Sequence, residues 1–172
     1  LNQDSIQVIS ISKGIYPKAL TQRELYGASN EYGSTIVSSS EGFRKKYEPF
    51  AAPISKRIEA LKKLHDKGLK TWVSIEPYPT PNIIQQDIEG ILEKISFVDK
   101  IVFGKWNYNS FVSNFEEYRE FYDETAQKVI EFCEKRNIGV HIKDGTMLNS
   151  NKKQLVPSYF IRIPKQESLF VG

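Results

Sequence analysis

Cysteine is almost absent: one residue in 172, Cys133, carries a thiol. No disulfide can form within the chain, which points to a reducing compartment and a cytoplasmic protein. Cys133 sits in Ile130-Glu131-Phe132-Cys133, where it reads as a small buried helix residue. Histidine is scarce too. His65 and His141 fall on a helix surface and inside a strand, neither with a second histidine at ligand spacing, so no metal site is expected. Long apolar runs are missing: nothing approaches the roughly 20 residues that cross a bilayer, and no membrane partner is expected. Leu1-Asn2-Gln3-Asp4 has neither a basic n-region nor an apolar h-region, and it reads as a chain entered in its middle. No charge sign dominates, with 24 Lys and Arg against 21 Asp and Glu and a net charge of +3. These charges are interspersed and form no basic stripe that would by itself argue for nucleic acid. Gly-x-Gly-x-x-Gly, the phosphate loop and the nucleophile elbow are all lacking.

What remains is the profile of a folded domain, 40% hydrophobic and 26% charged. Five β-branched runs read as strands: Ile6–Ile11, Ser34–Ser38, Thr71–Ile75, Lys100–Gly104 and Gly139–Lys143. Their near-continuous apolar content suits strands covered on both faces. Helical patterns lie between them. A short helix is expected around Leu20 to Leu25. Ser55 is expected to cap a helix with Ile58, Leu61 and Leu64 on one face, ending at Gly68. Asn82 with Gln85, and Asn114 with Glu117, resemble capping boxes. The first precedes Ile84, Ile88, Ile91, Leu92 and Ile95; the second precedes Phe115, Tyr118, Tyr122, Thr125, Val129 and Phe132.

Strict β-α alternation implies a parallel sheet with right-handed crossovers. A complete doubly wound sheet and an arc of a β/α barrel both satisfy it. Both place ligands at the carboxyl ends of the strands. The division expected is a barrel-type α/β body over residues 1–145 and a tail over residues 146–172 that packs on it, including a β-prone Tyr159–Ile163 run.

The strand ends supply the candidate residues. Lys13 after the first strand suits a ligand carboxylate or phosphate, and equally a solvated lysine. Ser38, Ser39 and Ser40 after the second offer hydroxyls to a sugar or carboxylate, or an N-cap for Glu41 to Tyr47. Glu76 after the third places a carboxylate in the mouth, as ligand contact or as salt-bridge partner. Lys105, Trp106, Asn107 and Tyr108 follow the fourth, where the aromatics can stack on a base or fill the rim. Lys143 and Asp144 follow the fifth.

Three segments in order resemble the later half of radical S-adenosylmethionine proteins of the DNA-repair photolyase type, the group containing spore photoproduct lyase. They are Ile9-Ser10-Ile11-Ser12-Lys13-Gly14, Ser34 to Leu61 with Glu48-Pro49-Phe50-Ala51-Ala52-Pro53 and Arg57-Ile58-Glu59-Ala60-Leu61, and Gly68 to Pro77. Ile101 to Asn107 adds a weaker match. The resemblance covers roughly residues 8 to 110. It implies a partial β/α barrel of about five parallel strands that lacks the first two units of a six-unit barrel. It also implies reductive cleavage of S-adenosylmethionine and hydrogen abstraction from a substrate, of which a nucleic-acid lesion is one kind, with electrons from a flavodoxin or ferredoxin. By the same resemblance, Lys13, Ser38, Ser39, Glu76, Lys105 and Asn107 bind S-adenosylmethionine, while Glu48 and Arg57 form an internal pair. Family members hold a 4Fe–4S cluster through Cys-x-x-x-Cys-x-x-Cys, which this sequence lacks. The chain alone is therefore expected to bind no cluster and to be inactive without the cluster-binding segment. The alternative reading is a non-catalytic nucleotide- or phosphate-binding α/β domain.

Overall fold

The structure, a computed structural model, describes residues 6–22 and 29–147. The first strand, β1 (Ile9–Ser12), leads through a 3-10 turn at Lys18–Thr21 to β2 (Glu31–Thr35). Then come α1 (Glu41–Tyr47), α2 (Ile54–His65), β3 (Lys70–Tyr78), α3 (Ile88–Lys94), β4 (Lys100–Lys105), the single turn α4 (Ser110–Ser113), α5 (Tyr118–Arg136) and β5 (Gly139–Ile142). Half of the expected Leu20–Leu25 helix, and the expected tail from 148 onward with its Tyr159–Ile163 run, lie outside the described residues.

The five strands lie in sequence order, β1-β2-β3-β4-β5, and every neighbouring pair is parallel. A doubly wound sheet needs a reversal of order at a switch point, and none occurs here. Crossovers that all run one way and share one hand bring the helices to a single face. Tyr32, Val73, Ile75, Ile101 and Phe103 supply that face, and they share one core with Leu61 and Leu64 of α2, Ile91 and Leu92 of α3, and Ala126 and Val129 of α5. Strand alternation sends the other set the opposite way: Ile9, Ile11, Glu31, Gly33, Trp72, Ser74, Lys100, Val102 and His141. The expectation of strands apolar on both faces therefore fails, because the second face carries charge and hydroxyls.

Element boundaries shifted where polar residues had a structural use. β2 begins at Glu31 rather than Ser34, because Tyr32 is buried in the core and Glu31 pairs with Lys100 at 3.0 Å. β3 runs on to Tyr78, past a cis Glu76-Pro77 bond and a register shift between Ile75 and Tyr78. Helix α2 starts at Ile54 behind Pro53, so Ser55 lies within its first turn rather than at its cap. Neither expected capping box forms. Asp87 caps α3 and Asn109 caps α4. Asn82 instead donates from its amide to the Phe111 carbonyl at 2.7 Å, tying two loops together. Asn114 ends α4 instead of starting α5. No helix among the described residues is long and apolar enough to cross a membrane.

Candidate functional site

On the polar face, β3 and its neighbours build two ion pairs that each cross one strand. Near the amino end, the Trp72 indole lies against Gly33 so closely that a Cβ on Gly33 would stand 2.3 Å from a ring carbon. Lys100 Nζ sits 5.1 Å from the centre of that ring and 3.0 Å from Glu31 Oε2, bridging from β4 to β2. Toward the carboxyl end, Glu76 lies over Gly104, where a Cβ would meet its carboxyl carbon at 2.8 Å. This close approach lets Glu76 cross β4 to Lys143, just past β5, at 3.7 Å. Glu76 was expected after the strand; it lies within β3, half-buried and facing this surface.

At the far side of the same edge, Lys13 Nζ lies 2.9 Å from Glu48 Oε1. Glu48 Oε2 accepts from Arg57 Nη2 at 3.0 Å, and Arg57 Nη1 donates to the Thr35 carbonyl at 2.7 Å. The internal Glu48–Arg57 pair is thus present, with Lys13 as its third member. In the serine turn the three hydroxyls differ. Ser38 is buried and its Oγ accepts from the Ser40 amide at 3.0 Å. Ser40 caps α1, accepting from the Phe43 amide at 3.2 Å. Ser39 alone of the three is exposed.

Lys105 belongs to the other side of β4. It pairs in register with the buried Tyr78, and its amide donates to Thr146 Oγ1 at 3.4 Å. Asn107 is exposed in the turn beyond β4. Lys13 and Glu76 thus both lie at the carboxyl edge of the sheet, Lys13 against Glu48 and Glu76 over Gly104, while Lys105 falls on the other side of β4. Trp106 and Tyr108 part company as well. Trp106 packs edge-on against Tyr47, with centroids 5.6 Å apart, while Tyr108 stands exposed with φ of 56°. Sequence reasoning missed Trp72, Ser74, Lys100 and Glu31 as surface-forming residues. A period-2 reading of Thr71 to Glu76 would have separated Trp72, Ser74 and Glu76 from Thr71, Val73 and Ile75.

Among the described residues, no group of three or more His, Cys, Asp or Glu comes together to hold a metal ion. Cys133 is buried, and burial pushes its thiol up to about 12. It is a packed apolar group, not a thiolate ligand. The Tyr122 hydroxyl, also pushed up to about 12 by burial, is occupied structurally: it donates to the Tyr78 carbonyl at 2.6 Å and accepts from the Trp106 amide at 3.1 Å.

No family model matches the chain, and no solved structure does. An uncharacterized protein of Methanocaldococcus jannaschii is 38% identical over 65 residues, which is 38% of this chain and 24% of that protein. An uncharacterized protein of Acidianus two-tailed virus is 36% identical over 61 residues, 36% of this chain and 20% of that protein. The matched stretch spans a quarter or less of each relative.

Proposed function

We propose that this chain is the later part of a radical S-adenosylmethionine barrel, and that its polar sheet face is the wall of the barrel interior. The observation that carries this reading is the pairing of strictly sequential parallel strands with a charged, hydroxyl-bearing face opposite the helices. A soluble open sheet has no ready use for such a face, whereas a barrel that encloses a polar ligand does. Lys13 at one side of the carboxyl edge would receive the carboxylate of S-adenosylmethionine. Ser39 presents a small exposed turn that lets a ligand approach the backbone. Glu76, held by Lys143, would face the same ligand from β3. Lys105 ends β4 and Asn107 lies in the turn just beyond it, where an adenine edge would lie.

The residues present do not fit an iron–sulfur cluster, since three thiolates are required and Cys133 is buried and protonated. In this reading the cluster cysteines come from outside these 172 residues, and the whole protein couples reductive cleavage of S-adenosylmethionine to hydrogen abstraction from a substrate. The test uses the longest natural form of the protein, reconstituted anaerobically with iron and sulfide and given a reductant and S-adenosylmethionine. Release of 5′-deoxyadenosine, followed by mass spectrometry, is the expected result. Binding of S-adenosylmethionine without cleavage would point to the non-catalytic nucleotide-binding alternative. Stoichiometric cluster on the 172-residue chain alone would overturn the reading.

A further inference from the structure

Lys13 leaves β1 beside the loop that follows α1, and two contacts join them. The Ala52 amide donates to the Lys13 carbonyl at 2.8 Å, and Lys13 Nζ stands 2.9 Å from Glu48 Oε1. The loop itself is pinned from both flanking helices. Arg44 Nη1 donates to the Ala51 carbonyl at 2.8 Å, and the Ile54 amide donates to Glu41 Oε1 at 2.7 Å. Hydrogen bonding from Arg44, and then from the Ile54 amide, holds the Glu41 carboxyl below its usual range. Glu48 and Arg57 are nearly sealed, with side chains 6% and 1% exposed, while Lys13 is 45% exposed.

Charge therefore runs positive, negative, positive from the interior outward. Attraction is strongest where water is excluded, so Arg57 and Glu48 neutralise each other inside the protein. Lys13 is left with a net positive charge at the surface. A lysine facing one solvated glutamate would present no such surplus. Lys13 has three N–H donors and is 45% exposed, so its one contact with Glu48 leaves donors available to an outside acceptor.

We propose that Glu48 and Arg57 are positioning residues that hold the Lys13 ammonium at the strand-end mouth as a receptor for an anionic oxygen group, a carboxylate or a phosphate. The inference rests on the reading of that edge as a ligand site. It adds a role for the Glu48 to Pro53 loop, which fixes where the cation stands.

Titration calorimetry on the 172-residue protein tests it with three probes: S-adenosylmethionine, its decarboxylated analogue and inorganic pyrophosphate. The wild type is expected to favour S-adenosylmethionine over the decarboxylated form by about tenfold, the scale of one charged hydrogen bond. Lys13→Met, which leaves the buried pair intact, should erase that preference. Glu48→Gln is the decisive variant, because it removes a negative charge beside the cation. Charge attraction alone predicts equal or tighter anion binding, whereas loss of positioning predicts about tenfold weaker binding. Equal or tighter binding by Glu48→Gln would overturn the proposal, as would an unchanged preference in Lys13→Met should Glu48→Gln fail to fold. If neither adenosyl compound binds but pyrophosphate does, and both variants weaken it, the S-adenosylmethionine reading falls and the receptor stands for phosphate. If no probe binds the wild type, the receptor proposal falls, while the barrel reading stands or falls on the 5′-deoxyadenosine assay of the longer form.

Discussion

Gly33 and Gly104 each lie under a side chain from β3, yet they differ in what a new methyl group would meet. At Gly33 the obstacle is the Trp72 indole, 2.3 Å from an ideal Cβ and backed by Lys100. A rigid ring held on both sides cannot yield cheaply, so Gly33→Ala should destabilise the protein by about 2 kcal/mol, read from urea unfolding. At Gly104 the obstacle is the flexible carboxylate end of Glu76. Gly104→Ala should cost less than about 1 kcal/mol in the same assay, yet displace Glu76 from Lys143. A large loss of stability there would mean that the Glu76–Lys143 pair is structural rather than part of a ligand surface. Cys133 was legible as a buried helix residue from its neighbours alone. With its thiol pushed up to about 12, it should resist alkylation at pH 8 in the folded protein and react at once in denaturant. The Lys13–Glu48 contact was not legible, because no local spacing rule joins a strand exit to a distant loop.

At the scale of elements, hydrophobic periodicity found the helices and mistook their starts. Ser40 was readable as a cap because nothing else competes for its hydroxyl, whereas Asn82 and Asn114 matched a capping pattern that other contacts overrode. Asp87 takes the first role through its bond from the Glu89 amide at 3.2 Å. Asp87→Ala should therefore cost about 1 kcal/mol by urea unfolding, while Asn114→Ala should stay within about 0.5 kcal/mol. The reverse order would restore the sequence-based assignment. On the wet side of α2, hydrogen bonds from Lys63 and then Lys56 draw the Glu59 carboxyl from 4.5 down to about 2. Because the folded value is the lower one, the stabilisation is present above 4.5 and fades as pH falls toward about 2. Glu59 is exposed, so the effect is small and screened by salt. Glu59→Gln should lower stability slightly at pH 7, leave it unchanged below about 2, and so flatten the acid limb of a stability profile over that window.

For the whole molecule, β-α alternation disclosed a parallel sheet, and the spacing of the runs disclosed five strands. It did not choose between a doubly wound sheet and a barrel arc, since both alternate alike and only strand order separates them. That order also decides where the sheet is weakest. β3 has a partner on each side, whereas β1 pairs with β2 alone among the described residues. On β1, Ile9 and Ile11 are 59% and 50% exposed, and the run carries none of the charges that guard an edge. Amides of Val73, Ile75, Ile101 and Phe103 should exchange with solvent only through global unfolding, and those of Ile9 to Ser12 through local fraying. Hydrogen exchange read by mass spectrometry separates the two classes. In the proposed longer form, earlier barrel strands would pair with β1 and cover its isoleucines. Protection of Ile9 to Ser12 should then rise toward that of β3, while β5 stays as it was. Equal exchange of β1 in the short and long forms would show that nothing docks at that edge, and the barrel reading would fall with it.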